Sequence, residues 1–381
     1  MLEPDAVPAY SRSEFLRLCT RGAGAFALLC ASPRSDAAQS TPVANSAAVE
    51  NDQPVSCDLR GFVRWILDEF QPSVRLPGGA GRYAGAPGQT APKLYGIADM
   101  ACVLYTIGAL HPSPKARAEW RDAFELFQNP TTGWFREADS GLTPQHNTAF
   151  ALAAMQLLDL APRYPVKMAA EYQNVRAYLN TLNWRTAVYP ESHKGAGIAS
   201  IHVLVPALRS PAWFAAFFAA CNGYFDPSNG LMGRDKPPGG DIDQIGGTFH
   251  YSFLYSFFNL PMPFPEKRID TVLALQRPDG YWSPGNYLWL TLDAIYLMTR
   301  TLRYCPHRFD DVRASVRRVM RTLQEAVYSP EGRKKAFAKG QAVHSLTAAT
   351  AIAAEAQQFL GAHEVITDWP LKLVLDRRPF I

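Results

Sequence analysis

The apolar positions of the chain fall into pairs of segments with helical, 3.6-residue periodicity, and the second member of each pair is the more apolar. The pairs are 57–70 with 95–110, 115–127 with 146–160, 166–182 with 193–208, 211–225 with 248–258, 265–275 with 287–302, and 310–328 with 341–361. First members such as KARAEWRDAFELF keep a polar face, whereas second members such as HNTAFALAAMQLLDL are apolar nearly all round and rich in alanine. A helix of the second kind has to be covered on most of its surface. The pattern therefore predicts six amphipathic helices outside six buried ones, an all-α (α/α)6 toroid over residues 55–365, with 366–381 as a C-terminal tail packed on the barrel.

A short motif recurs between the members of a pair: FQNPTTGWF at 127–135, FDPSNGLMG at 225–233, LQRPDGYW at 275–282, and a weaker YSPEGR from Tyr328. Proline stops the outer helix, Asp or Asn supports a tight turn, and glycine supplies a positive φ. LQRPDGYW resembles the QW repeat of squalene cyclases. The six hairpins resemble the toroid shared by terpenoid cyclases, protein prenyltransferases and many glycoside hydrolases and polysaccharide lyases. That resemblance implies an architecture and leaves the chemistry open, because one such fold carries many reactions.

With 381 residues, 48% hydrophobic and 19% charged, the chain can bury a substantial core and is neither a disordered tail nor a fibre. Its net charge of +4 is scattered, which argues against a nucleic-acid partner. The first fifty residues differ in kind: Arg12 and Arg17, a small apolar run over 22–31, then a Ser/Ala/Gln stretch follow the order of an export leader and linker. SRSEFLR is similar to a twin-arginine signal, with Ser13 in place of the second arginine. The expectation is export, periplasmic or secreted, through this degenerate or a general signal, and a soluble mature chain beginning between Ala38 and Asp52. No later stretch is long and apolar enough for a membrane span. Outside the leader, Cys57, Cys102, Cys221 and Cys305 lie far apart without a CxxC spacing, so they read as buried thiols.

One polar residue falls at or near the start of each second member: Asp99, His146, His193, His250, Asp293 and His344. Singly, each reads as a helix cap or a satisfied interior group. In a closed ring all six would meet at one mouth, where helix N-termini favour anionic groups and neutral imidazole. His146 and His250, with Tyr251, are the expected proton-handling groups, and Asp241 or Asp243, in the glycine-flanked PPGGDIDQIGG, the carboxylate acting with them. Asp99, Asn147, His193, Asp293 and His344 are expected to contact substrate, with Trp134, Trp282, Tyr287 and Trp289 stacking on sugar faces or closing the barrel end. Glu137, Asp139 and Glu191 are further loop acids that would allow a two-carboxylate glycosidase. No compact metal motif such as HExxH is present, and neither a metal nor another cofactor is expected.

These readings converge on an exported carbohydrate-active enzyme, a glycoside hydrolase or polysaccharide lyase acting on a glycan, anionic glycans included. One alternative is a terpene-cyclase-like enzyme with an isoprenoid substrate. The resemblance implies an Asp-x-Asp-Asp acid motif there, and DIDQ at 241–244 offers it with Gln244 replacing the last Asp. The other alternative is a non-catalytic toroid that binds a glycan or a peptide.

Overall fold

The computed structural model describes residues 53–138, 140–233, 240–284 and 288–381; the leader and linker over 1–50, Asp139 and Tyr287 lie outside the described residues. The chain is predominantly helical. A short strand β1 (Cys57–Asp58) leads into α1 (Arg60–Trp65), a π-helical stretch and α2 (Gln71–Val74). There follow α3 (Leu94–Thr106), α4 (Pro114–Glu125), α5 (Pro144–Leu157), α6 (Val175–Thr181), α7 (Val188–Leu204), α8 (Pro211–Asn222), α9 (Gly240–Phe257) and α10 (Pro265–Ala274). The remainder is α11 (Leu288–Leu302), α12 (Phe309–Leu323), α13 (Pro330–Ala336), α14 (Ala342–Leu360), β2 (Val365–Ile366) and α15 (Val374–Arg377).

Local chemistry sets several of the helix starts. α4, α5, α8 and α13 each open on Ser-Pro or Thr-Pro, and the hydroxyls of Ser113, Thr143, Ser210 and Ser329 accept from the N–H groups of Ala116, His146, Trp213 and Gly332. The cap satisfies an otherwise orphaned donor, while proline, which has no N–H to lose, presets φ for the first turn. The amphipathic helices bury a single stripe: on α12 it is Val312, Val316, Val319, Met320 and Leu323. The apolar helices are buried on nearly every side, as in α14 from Leu346 to Gln357.

α3 packs against α5, α5 against α7, α7 against α9, α9 against α11, α11 against α14, and α14 back against α3. The start of the described region is tied to the segment after α14. β1 pairs in parallel with β2, Cys57 opposite Val365. The buried Arg317 guanidinium donates two hydrogen bonds to Glu364, at 2.9 and 2.7 Å, and Glu364 also accepts from the Val55 N–H. The C-terminal tail does not only cover the outside. α15 lies against α9 and α3. The Pro379 carbonyl accepts from Ser200, and the Phe380 ring stands between Phe253 (5.4 Å) and His146 (4.8 Å), fully buried.

The recurring turn motif clamps one helix pair to the next. Gly133, Gly230 and Gly280 all have φ near +70 to +90°. The Gln128 amide donates to the carbonyls of Gly133 and Tyr164, and the Gln276 amide to those of Gly280 and Ser315, the latter on α12. In the FDPSNGLMG copy the Gly230 carbonyl again accepts, but the donor is Arg268, on the neighbouring α10. The glutamine or its substitute therefore holds both its own turn and the neighbouring segment.

Gly133 and Gly141 separate the two costs of adding a side chain. Both have positive φ, but a Cβ on Gly133 would sit 2.1 Å from the Pro165 carbonyl oxygen, whereas one on Gly141 would meet nothing within 4 Å. Gly141→Ala is expected to cost about 1–2 kcal/mol for the left-handed backbone. Gly133→Ala should cost roughly 1–3 kcal/mol more through overlap. Urea unfolding of the two variants beside the parent checks the difference; equal losses would mean the turn does not press on the next segment.

Candidate functional site

Three imidazoles meet inside the helical core. His146 lies in the first turn of α5, His193 in the second turn of α7, and His250 well inside α9. Their ring centroids are 4.7 Å (His146–His193), 4.6 Å (His193–His250) and 6.1 Å (His146–His250) apart. One nitrogen of each ring lies within 4.8 Å of the others. All three are buried, between 4% and 7% exposed.

His250 is not at a helix opening, as the sequence pattern had suggested. α9 begins at Gly240, so Asp241 and Asp243 belong to its first turn and not to a loop. The glycines of DIDQIGG serve close packing: a Cβ on Gly246 would lie 2.5 Å from the Tyr189 ring and one on Gly247 2.5 Å from Val188. The field of a helix N-terminus fades within the first turn and does not reach His250. Burial instead holds the imidazoles neutral. It pushes His146 and His250 well below the usual histidine range and His193 down to about 4, and neighbouring histidines add to the effect.

Hydrogen bonds orient two of the rings. The Ser192 hydroxyl donates to the Tyr189 carbonyl at 2.5 Å, so toward His250 Nδ1, at 2.7 Å, it can only accept. His250 therefore carries its proton on Nδ1 and leaves the Nε2 lone pair free. His146 Nδ1 is 2.5 Å from the Tyr95 hydroxyl. Burial, with Asp99 and Glu137 nearby, raises Tyr95 well above the usual phenol range and keeps it protonated.

Tyr95 also lines a polar pocket of about 160 Å³ with Lys93, Asp99, Glu137, Gln341 and His344. The Asp99 carboxylate, fully buried, lies 3.1–3.2 Å from His344 Nδ1. The Trp289 ring packs on His344 at 4.2 Å. Glu137 accepts from the Tyr95 N–H at 3.2 Å and pairs with Lys93 at 3.6 Å, which makes it a cap on α3; burial raises its pKa.

Other expected site residues are placed elsewhere. Asp243 accepts from the Tyr189 N–H at 3.3 Å, capping α7, and Asp241 accepts from Asn229. Glu191 pairs with Lys194 at 2.6 Å. Asn147 is fully buried, its Nδ2 3.5 Å from Ser140. Tyr251 does not accompany His250: consecutive helix residues point about 100° apart, and its ring packs against Trp184 and Phe217, with its hydroxyl unpartnered. Trp282 is buried and donates to the Val272 carbonyl, so it closes the turn and does not face a ligand. Trp134 donates to the Lys167 carbonyl and flanks a separate surface groove with Tyr172 and Gln145. The residues that sequence reasoning missed are Tyr95, Tyr189 and Ser192. A signal was there, since Tyr95 precedes Asp99, and Tyr189 precedes His193, by one helical turn.

Asp293 is 3% exposed, and burial raises its pKa well above 3.8. A group whose folded pKa is raised favours the folded state below its unfolded pKa and opposes it as pH rises. Asp293→Asn is therefore expected to raise the melting temperature at neutral pH. The gain should shrink as pH falls toward 3.8. Tyr251→Phe removes a buried hydroxyl that has no partner, and the urea midpoint should hold or rise. A lower midpoint would show that the hydroxyl is bonded in solution.

Comparison of the chain with protein families, with curated proteins and with solved structures finds no match, so the site is read from its own geometry.

Proposed function

We propose that the chain is a six-hairpin α/α toroid and a carbohydrate-active enzyme, a hydrolase or β-eliminating lyase, with its reaction centre where Asp99, His344, Tyr95 and His146 meet. The return packing of α14 on α3 supports the ring. The single observation that carries the functional reading is a buried carboxylate orienting a histidine at the wall of a polar pocket: Asp99 holds the Nδ1–H of His344, which is itself 17% exposed in its side chain.

Nδ1–H donation to Asp99 leaves the His344 Nε2 lone pair to take a proton. Across the same pocket, the Tyr95 hydroxyl, bonded to His146, is an acid able to deliver one. A positioned base and acid on one pocket suit both activation of water at a glycosidic bond and removal of a proton beside a sugar carboxylate. Lys93, Glu137 and Gln341 give the lining the mixed polarity that an oxygen-rich substrate needs. The proton-handling role thus moves from His146, His250, Tyr251, Asp241 and Asp243 to His344 and Tyr95, with His146 kept as the hydrogen-bond partner of Tyr95. Export through the N-terminal leader would bring such an enzyme to extracytoplasmic glycans.

A panel of neutral and uronate-containing polysaccharides, read by reducing-end release and by ultraviolet absorbance of unsaturated product, tests the reading. On the substrate so found, His344→Ala is expected to lower turnover by roughly a hundredfold or more, and Asp99→Asn should lower it with circular dichroism unchanged. Near-parental turnover in both would remove the dyad from the reaction.

A further inference from the structure

We infer that His146, His193 and His250 form a zinc site with one open coordination position. Three observations carry it, and it holds whether or not the carbohydrate reading does.

The first is convergence. The three nitrogens come from three different helices and lie within 4.8 Å of one another. Around tetrahedral zinc, with Zn–N near 2.0–2.1 Å, ligand nitrogens stand about 3.4 Å apart. Zinc binding would draw the nitrogens together by that difference.

The second is what holds the rings. A metal-bound histidine usually gives its other nitrogen to a hydroxyl, carbonyl or carboxylate that fixes its tautomer. Ser192 does this for His250 and Tyr95 for His146, each at Nδ1. In both rings Nε2 is then the ligand atom.

The third is spare donor capacity. Among the described residues, no protein group bonds Nε2 of His146 or His250, or either ring nitrogen of His193, so these lone pairs are available to a ligand.

An all-imidazole donor set suits zinc better than calcium or magnesium, which prefer oxygen. Three protein ligands are also the number found in catalytic zinc sites, where water or substrate takes the fourth position. His344 and Asp99 are joined to the cluster through the Tyr95 ring, which lies 5.1 Å from His344 and 5.9 Å from His146.

The test uses the full chain. Protein produced with zinc in the medium should carry about one zinc per chain by elemental analysis. After stripping with a chelator, it should take up added zinc chloride in calorimetry with a rise in melting temperature. His193→Ala is expected to weaken zinc uptake roughly a hundredfold or more, and Ser192→Ala, which leaves all three ligands in place, by roughly 10–100-fold. His363→Gln, at an exposed histidine, should bind as the parent does. If stripped parent protein takes up no zinc, or if His193→Ala and Ser192→Ala bind it as tightly as the parent, the site is refuted. Should His193→Ala fail to fold, Ser192→Ala alone decides, since it removes only one hydroxyl.

Discussion

The close approach of α7 to its two neighbours is the contact on which the site depends. Gly197 on α7 faces the Gln145 backbone of α5, where a Cβ would lie 2.9 Å away, and Gly195 faces the Tyr251 hydroxyl of α9, where it would lie 1.9 Å away. Gly246 and Gly247 answer from α9 against Tyr189 and Val188. Helices with ordinary side chains at their contacts sit 8–10 Å apart. Glycine at each of these points lets the three backbones come nearer, and His146, His193 and His250 are carried into ring contact as a result.

That packing creates an electrostatic problem, and the molecule handles it differently at different places. At Arg300 the buried charge is matched by Glu355 and Asp376, so the guanidinium stays ionised and the C-terminal helix is held down. Arg317 is matched by Glu364, whereas Asp99 is met by a hydrogen bond from His344. The histidine cluster has no counter-charge and is instead kept neutral by burial. Asp293 follows the same rule as a carboxyl group. Paired charges thus fasten segments to one another, whereas the neutral imidazoles of His146, His193 and His250 keep ring nitrogens that a ligand could take.

The C-terminal tail gives this region its floor. Phe380 packs on both His146 and Phe253, and Arg378 donates to the Gln156 carbonyl near the far end of α5. On the side where α3 and α14 begin, Lys93, Gln341 and His344 line the pocket.

The sequence by itself determined the helical class, the alternation of amphipathic and buried helices, and the turn motif, because these rest on periodicity and on the backbone preferences of proline and glycine. It also singled out His146, His193, His250, Asp99 and His344, since one polar residue on an otherwise apolar helix stands out along a chain. Only the tertiary structure decided which of them touch. Glycines in DIDQIGG read as a loop when considered locally, but they are helical because α7 presses against them, and this set both the depth of His250 and the capping role of Asp243. Tyr251 was paired with His250 by adjacency, yet helical rotation turns it toward Trp184. Tyr95 and Ser192 went unnoticed because a tyrosine or serine on a buried helix is unremarkable until the ring it bonds arrives from another helix. Helix formation is decided by neighbours along the chain, whereas a site is decided by contacts between residues 51 to 245 positions apart, which periodicity cannot register.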